Sequence, residues 1–385
     1  DDVGFAGVGA VLAVRAHDAA ELSSRATRAL AEFDEHTLGR ATAPTLRLLG
    51  GLPFSSSQSA GMFVLPRLRL ATSAGASFLS LTLTADERAD AVRRAQLLDL
   101  LLRAHDRLAD APDPASSPHV RSIDEGDTAA WEALVSRALH RIDQGELQKV
   151  VLARQTQVAL ESQADPTSVL AALLREAGWG ARLLLAHDGE TFVAVSPERL
   201  VRRSGTHVES EALAGTAAAD ELKLLASSQK DLAEHEVVIR EIARALSPLC
   251  SSLSIAPQPG RRLLRHVAHL HTPIAASLRE LTHVLELVQA LHPTPAVGGV
   301  PRRQAVDFLV EGESQPRGLY AGPFGWFDAR GDGDFWVGLR SGVLRDRTAT
   351  VYAGAGIVRG SDPAAELRET RLKQRAFLRA LGVSP

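Results

Sequence analysis

Short apolar runs separated by Ser, Gly and Ala turns fill the first hundred residues. Residues 4–14 read as an opening strand, holding about half of the roughly 20 apolar residues a membrane span takes. The Asp1-Asp2 start lacks the basic region of a signal peptide. Residues 86–110, rich in Leu and Arg, predict a helix. The Pro/Ser/Ala-rich stretch 109–117 reads as a surface connection. This divides the chain into an N-terminal lobe, 1–118, and a domain over 119–385 that is expected to carry the chemistry.

From Asp127 the pattern sharpens. Asp127 or Thr128 caps a helix that reaches 143, Gly145 ends it, and 147–159 follows as a strand. Asp188-Gly189 between the apolar runs 181–186 and 191–195 signals a hairpin. Ser204-Gly205 turns the chain again between 199–203 and 207–214, so all four segments are expected as neighbouring antiparallel strands. A helix is predicted over 220–246, and a second meander over 320–327, 334–344 and 348–358. Asp362-Pro363 caps a last helix ending near 381. Strands in hairpins, with helices collected between the runs, predict an α+β fold.

With 45% hydrophobic residues the 385-residue chain can fill a sizeable core. Its net charge is -3, acidic and basic residues interleave, and no basic stripe points to nucleic acid. The expected partner is a small molecule, with no nucleic acid and no membrane. A single cysteine, Cys250, excludes an intramolecular disulfide and makes the cytoplasm the default location. Of 43 basic residues only Lys149, Lys223, Lys230 and Lys373 are Lys. Because Arg does not give up its proton, each surviving Lys is a candidate for a role that needs one lost.

Strand alternation puts Lys149 on the face of Leu147, Val151 and Ala153, partly out of water, which suits an amine that takes a proton near neutral pH. A Lys snorkelling from a strand end fits the same pattern. Glu198 follows Pro197 at a break in the strand ladder, where a carboxyl can point into a cleft or simply occupy a turn. Asp231 and Glu234 share one helix face, and Glu366 and Glu369 another. Meeting faces would offer oxygen ligands to Mg2+; separate ones would be solvated, with Lys230, Arg368 or Arg371 neutralising them. Gly354-Ala-Gly356 is no dinucleotide fingerprint, since no helix follows at once, but it allows backbone to approach a carboxylate closely. Arg340, in the preceding predicted strand, and Lys373 add positive charge.

These stretches occur in an order that resembles the chorismate-utilising enzymes. The blocks are Lys149-Val-Val-Leu-Ala-Arg154, Ser196-Pro-Glu198, Ala212-Leu-Ala-Gly-Thr216, Lys230-Asp-Leu-Ala-Glu-His235, His292-Pro-Thr-Pro-Ala-Val297, Arg317-Gly-Leu-Tyr-Ala-Gly-Pro323 and Tyr352-Ala-Gly-Ala-Gly-Ile-Val358, with Glu366, Glu369 and Lys373 after them. They cover roughly 120–385. The resemblance implies two antiparallel sheets packed face to face with helices outside and intertwined lobes. Lys at 149 resembles the members that use water as nucleophile, whereas the ammonia-using members lack it. Ala at 214 stands where other members carry a nucleophilic Lys.

The implied reaction is Mg2+-dependent addition of water at C2 of chorismate with departure of the C4 hydroxyl. The stretch 294–301 looks more like the members that stop at isochorismate. Continuation to salicylate by loss of pyruvate is the alternative, and a silent chorismate-binding regulator a remote one. By the same resemblance Lys149 is the base and Glu198 the acid. Glu234 and Glu369 hold Mg2+, with Asp231 and Glu366 nearby through water. Tyr320, Arg340 and the Gly354 backbone take the enolpyruvyl carboxylate, and Gly215, Thr216, Lys373 and His269 complete the pocket. A monomer without a glutamine amidotransferase subunit is expected.

Overall fold

The computed structural model describes residues 4–17, 19–33, 45–57, 59–73, 76–109, 118–218, 228–265 and 267–383. Among these residues the strands form two antiparallel sheets, one of eleven strands and one of seven. The larger contains β1 (Gly4–Ala16), β2 (Arg47–Gly51), β3 (Gly61–Ser73), β4 (Ala76–Leu81), β9 (Arg199–Ser204), β10 (His207–Ala218), β11 (Cys250–Ile255), β12 (Gly260–Leu263), β13 (Val267–Leu278), β15 (Pro323–Asp328) and β16 (Gly333–Val337). The smaller contains β5 (Val120–Asp124), β6 (Lys149–Leu160), β7 (Ala181–His187), β8 (Glu190–Ser196), β14 (Gly299–Val300), β17 (Ser341–Arg345) and β18 (Thr348–Ile357). β2 pairs with β15, Leu49 opposite Trp326, so strands from the start of the chain extend a sheet whose middle comes from its second half.

The α+β architecture of two antiparallel sheets with helices is the one expected from the sequence. Its main core lies between the sheets and joins Val150, Leu152 and Ala355 of the smaller to Leu200, Val208 and Phe335 of the larger. A second core lies under the helices Pro166–Ala177 and Pro363–Ala380, where Leu173 and Phe377 meet Val158, Val193 and Val351. The local signals explain the element ends. Asp127 and Asp362 accept from backbone N–H groups of the first turns of their helices. Asp188 and Gly189 both have positive φ, the backbone a two-residue hairpin needs.

Several expectations need correction. The helix predicted over 86–110 is two, Ala85–Ala89 and Ala91–Ala109, because Asp90 adopts an extended backbone and its Oδ1 accepts from Val92 and Arg93 N–H. The helix predicted from 220 is described from Gln229, capped by Ser228; 219–227 lie outside the described residues, as do 110–117 of the expected connection. The strand predicted over 334–344 is two strands in different sheets, β16 and β17, and Arg340 belongs to the crossing between them. The four neighbouring strands predicted over 181–214 likewise split, β7 and β8 in one sheet and β9 and β10 in the other, with Pro197 and Glu198 at the crossing. Alternating polarity reports a strand's two faces and says nothing of which sheet it joins.

A buried ion pair ties the layers together. Arg317 donates through Nε to Glu313 Oε2 (2.8 Å) and through Nη1 to Val297 O (2.9 Å), and Glu313 Oε1 accepts from Ala153 N–H (2.8 Å). The guanidinium also lies 4.1 Å from the Phe54 ring. Glu313→Ala leaves the Arg317 charge buried without its partner, which costs about 3–5 kcal/mol. A urea titration should show a correspondingly lower midpoint for Glu313→Ala and partial recovery when Arg317→Met is added.

Candidate active site

The floor of the site is built by β6 and β18, which pair Gly354 with Ala153 and Gly356 with Val151. Lys149 starts β6 on the face of Val151 and Ala153, only 2% exposed. Its Nζ donates to Glu234 Oε1 at 2.6 Å. Gly356 makes room for this pair: a Cβ there would stand 3.1 Å from Glu234 Oε1 and 3.2 Å from Lys149 Cε. At Gly354 a Cβ would lie 2.8 Å from the Tyr320 hydroxyl and displace it, whereas one at Gly356 would crowd the Lys149–Glu234 pair. Tyr320 stacks on Tyr352 with ring centroids 5.0 Å apart, and burial pushes its phenol up to about 12.

Glu198 and Arg340 stand where two strands change sheets beside each other. Glu198 O accepts from Val337 N–H (3.0 Å), and Arg340 O from Val195 N–H (3.4 Å). Arg340 takes a positive φ of 51°, a backbone that L side chains rarely adopt. Its Nη2 lies 3.1 Å from His269 Nε2, while His269 Nδ1 lies 3.1 Å from Gly215 O. Burial, together with Arg340 and Lys373, holds the His269 imidazole well below its usual range. A neutral ring fits both contacts, Nδ1–H donating and Nε2 accepting, so His269 orients Arg340. Gly215 sits at the bulge where β10 shifts register against β13, with φ 75°.

Two helices supply the carboxylates. Asp231 and Glu234 lie one turn apart on Gln229–Leu246, and Glu366 and Glu369 one turn apart on Pro363–Ala380. All four line one cavity with Glu198, Gly215, His269, Tyr320, Arg340, Gly354 and Lys373. About 880 Å3 of space, part of it open to solvent, lies between these residues. The side chain of Thr216 is outside what is described, although its backbone pairs with His269.

Of the partners expected to neutralise the acidic pairs, the Lys230 side chain lies outside what is described. Lys149 holds Glu234, and Lys373, at 2.6 Å, holds Glu369 while donating to Gly354 O. Arg371 pairs with Glu125 instead. Among the described residues no three His, Cys, Asp or Glu side chains form a group able to hold a metal alone. Hard oxygen donors from two helices facing one cavity still fit Mg2+, which takes one or two carboxylates and completes its shell elsewhere.

Burial raises Glu198 to about 8, reinforced by Glu211 and opposed by Lys149, Arg262 and Arg340. The site therefore presents a protonated acid at neutral pH beside a buried amine, with Arg340 and Lys373 suited to carboxylates. Sequence reasoning missed Glu211, Arg262 and His271 around Glu198, and the role of the Arg317–Glu313 pair. Glu211 directly precedes Ala212 and Arg317 opens one of the recognised blocks, but nothing in the sequence marks Arg262 or His271.

The chain matches the family described as chorismate binding enzyme over residues 1–382. It is 43% identical over 272 residues to a salicylate biosynthesis isochorismate synthase of Pseudomonas aeruginosa, covering 67% of this chain and 56% of that protein's length. A Bacillus subtilis isochorismate synthase is 33% identical over 356 residues, covering 87% of this chain and 74% of its own. The solved menaquinone-specific isochorismate synthase of Escherichia coli superposes with a TM-score of 0.79 at 30% identity, covering 99% of this chain and 86% of that one.

The Glu198 carboxyl is expected to titrate near pH 8. Infrared difference spectra should show a carboxylic C=O band below that pH, lost above it and absent from Glu198→Gln.

Proposed function

The chain belongs to the chorismate binding enzyme family, and from that premise we propose that it is an isochorismate synthase acting on chorismate. The observation that carries this reading is a cavity lined by Glu198, a buried carboxyl raised to about 8, and by Arg340 and Lys373, with the buried amine of Lys149 set behind its Glu234 wall at 2.6 Å. The relatives named isochorismate synthase in P. aeruginosa, B. subtilis and E. coli support the same product.

In the proposed reaction Lys149 takes a proton from water as the water oxygen bonds to C2. The ring double bonds shift electrons toward C4. The C4–O bond breaks, and the leaving hydroxyl takes the proton of Glu198. One water enters and one leaves, so substrate and product are isomers. Ala214, small and without an amine, leaves water as the nucleophile. Arg340, oriented by His269, and Tyr320 hold the enolpyruvyl carboxylate, with the Gly354 backbone beside them. Gly215 and Lys373 complete the pocket.

Glu234 and Glu369 would hold Mg2+, with Asp231 and Glu366 nearby through water. The bound ion supplies counter-charge for the ring carboxylate. Lys149 and Lys373 keep these carboxylates paired when no cation is bound.

Incubation with chorismate and Mg2+, with products separated by chromatography, should give isochorismate; excess EDTA should abolish turnover and added Mg2+ restore it. Salicylate with pyruvate would move the chain to the branch that continues past isochorismate, and no consumption of chorismate would overturn the proposal. Lys149→Ala should bind chorismate, by calorimetry, yet lose roughly 10²- to 10⁴-fold in kcat, the usual worth of a general base. A folded Lys149→Ala protein turning over at the normal rate would remove Lys149 from the mechanism.

A further inference from the structure

Glu198 belongs to a short span whose backbone is held by a second set of charges. Arg262, in β12, donates through Nη1 to Pro197 O (2.7 Å) and to Glu211 Oε1 (2.6 Å), and through Nη2 to Glu211 Oε2 (2.9 Å). Glu211 Oε1 also accepts from Arg199 N–H at 2.8 Å. The residues on either side of Glu198 are therefore bound to the two members of one forked ion pair. His271 Nε2 stands close to both, 2.8 Å from Arg262 Nη2 and 3.0 Å from Glu211 Oε2. Trp179 lies across the guanidinium at 4.6 Å. Neither Glu211, Arg262 nor His271 lines the cavity.

Burial alone would raise Glu211, but hydrogen bonds from His271, Arg262 and Arg199 N–H hold it down to about 2. It is a fixed negative charge at working pH. The charged groups acting on the Glu198 carboxyl are Glu211 from β10, Lys149 from β6, Arg262 from β12 and Arg340 from the second crossing. Three of the four are cations, which would favour a carboxylate. Burial and Glu211 together outweigh them.

We propose that Glu211 and Arg262 are positioning residues for Glu198: their ion pair clamps the strand crossing on both sides of it, and Glu211 sets its charge beside that span. This rests on Glu198 being the acid of the proposed reaction. Neither residue touches substrate. Both act through the place and proton of another side chain.

Glu211→Gln keeps an oxygen for Arg199 N–H and removes the charge. A carboxyl relieved of a like charge ionises at lower pH, and activity that needs the acid falls as pH rises through that point. The falling limb of kcat/KM should therefore move down by about one pH unit or more. The carboxylic band of Glu198 should move with it, and KM for chorismate should stay within about twofold. A purely structural effect would lower kcat equally at every pH, and a folded Glu211→Gln protein with limb and band unmoved would overturn the proposal. Arg262→Lys tests the clamp separately, because an ammonium lacks the planar fork that spans Pro197 O and both Glu211 oxygens. It should lose about tenfold in kcat with chorismate affinity retained; undiminished kcat in folded Arg262→Lys would overturn the clamp. Full activity in Glu198→Gln would instead overturn the reading on which this inference rests, and the inference with it.

Discussion

Two strands leave one sheet and enter the other side by side, and the site depends on that paired crossing. At the first, Ser196–Arg199, the chain passes from β8 to β9; at the second, between Val337 and Ser341, it passes from β16 to β17. The crossings are sewn together: Val337 N–H donates to Glu198 O, Val195 N–H to Arg340 O, and Ser196 Oγ to Val337 O (2.5 Å). A regular strand would send Glu198 and Arg340 to a sheet face. At a crossing both can turn into the gap between sheets, and the positive φ of Arg340 is the local strain that the surrounding bonds sustain.

The gap is apolar over most of its extent, so each charge placed there needs compensation. The structure meets this with ion pairs, two between distant parts of the chain, Lys149 with Glu234 and Arg262 with Glu211, and two between residues four apart in sequence, Lys373 with Glu369 and Arg317 with Glu313. Three of these pairs bear directly on groups proposed for binding or proton transfer. The fourth fixes the loops that carry Val297 and Tyr320 against β6. Glu198 is the exception that gives the site its acid: its burial is met by holding the proton, not by a salt bridge.

Space is regulated by small residues. Gly354 and Gly356 leave room for the Tyr320 hydroxyl and the Lys149–Glu234 pair, and Ala214 with Gly215 lines the opposite wall. The sequence pattern Gly-Ala-Gly announced close approach without saying what approaches. Here it is three side chains of the protein itself, Tyr320, Lys149 and Glu234.

Periodicity, caps and turn residues were enough to place most elements and the α+β class, because those signals act over a few residues. Lys149 on an apolar strand face and Glu198 after Pro197 were legible for the same reason. The paired helix carboxylates and the ordered blocks extended this to a family and a set of site residues. Tertiary structure alone decided which sheet each strand joins, and so split 334–344 between two sheets and moved Arg340 out of a strand into a crossing. It also brought Lys149 to Glu234, 85 residues away, and Arg262 and His271 to Glu211 beside the Pro197–Arg199 span. Such choices rest on compensating charge across segments far apart in sequence, and a local pattern carries no record of a partner 50 or more residues away, as Arg262 is from Glu211.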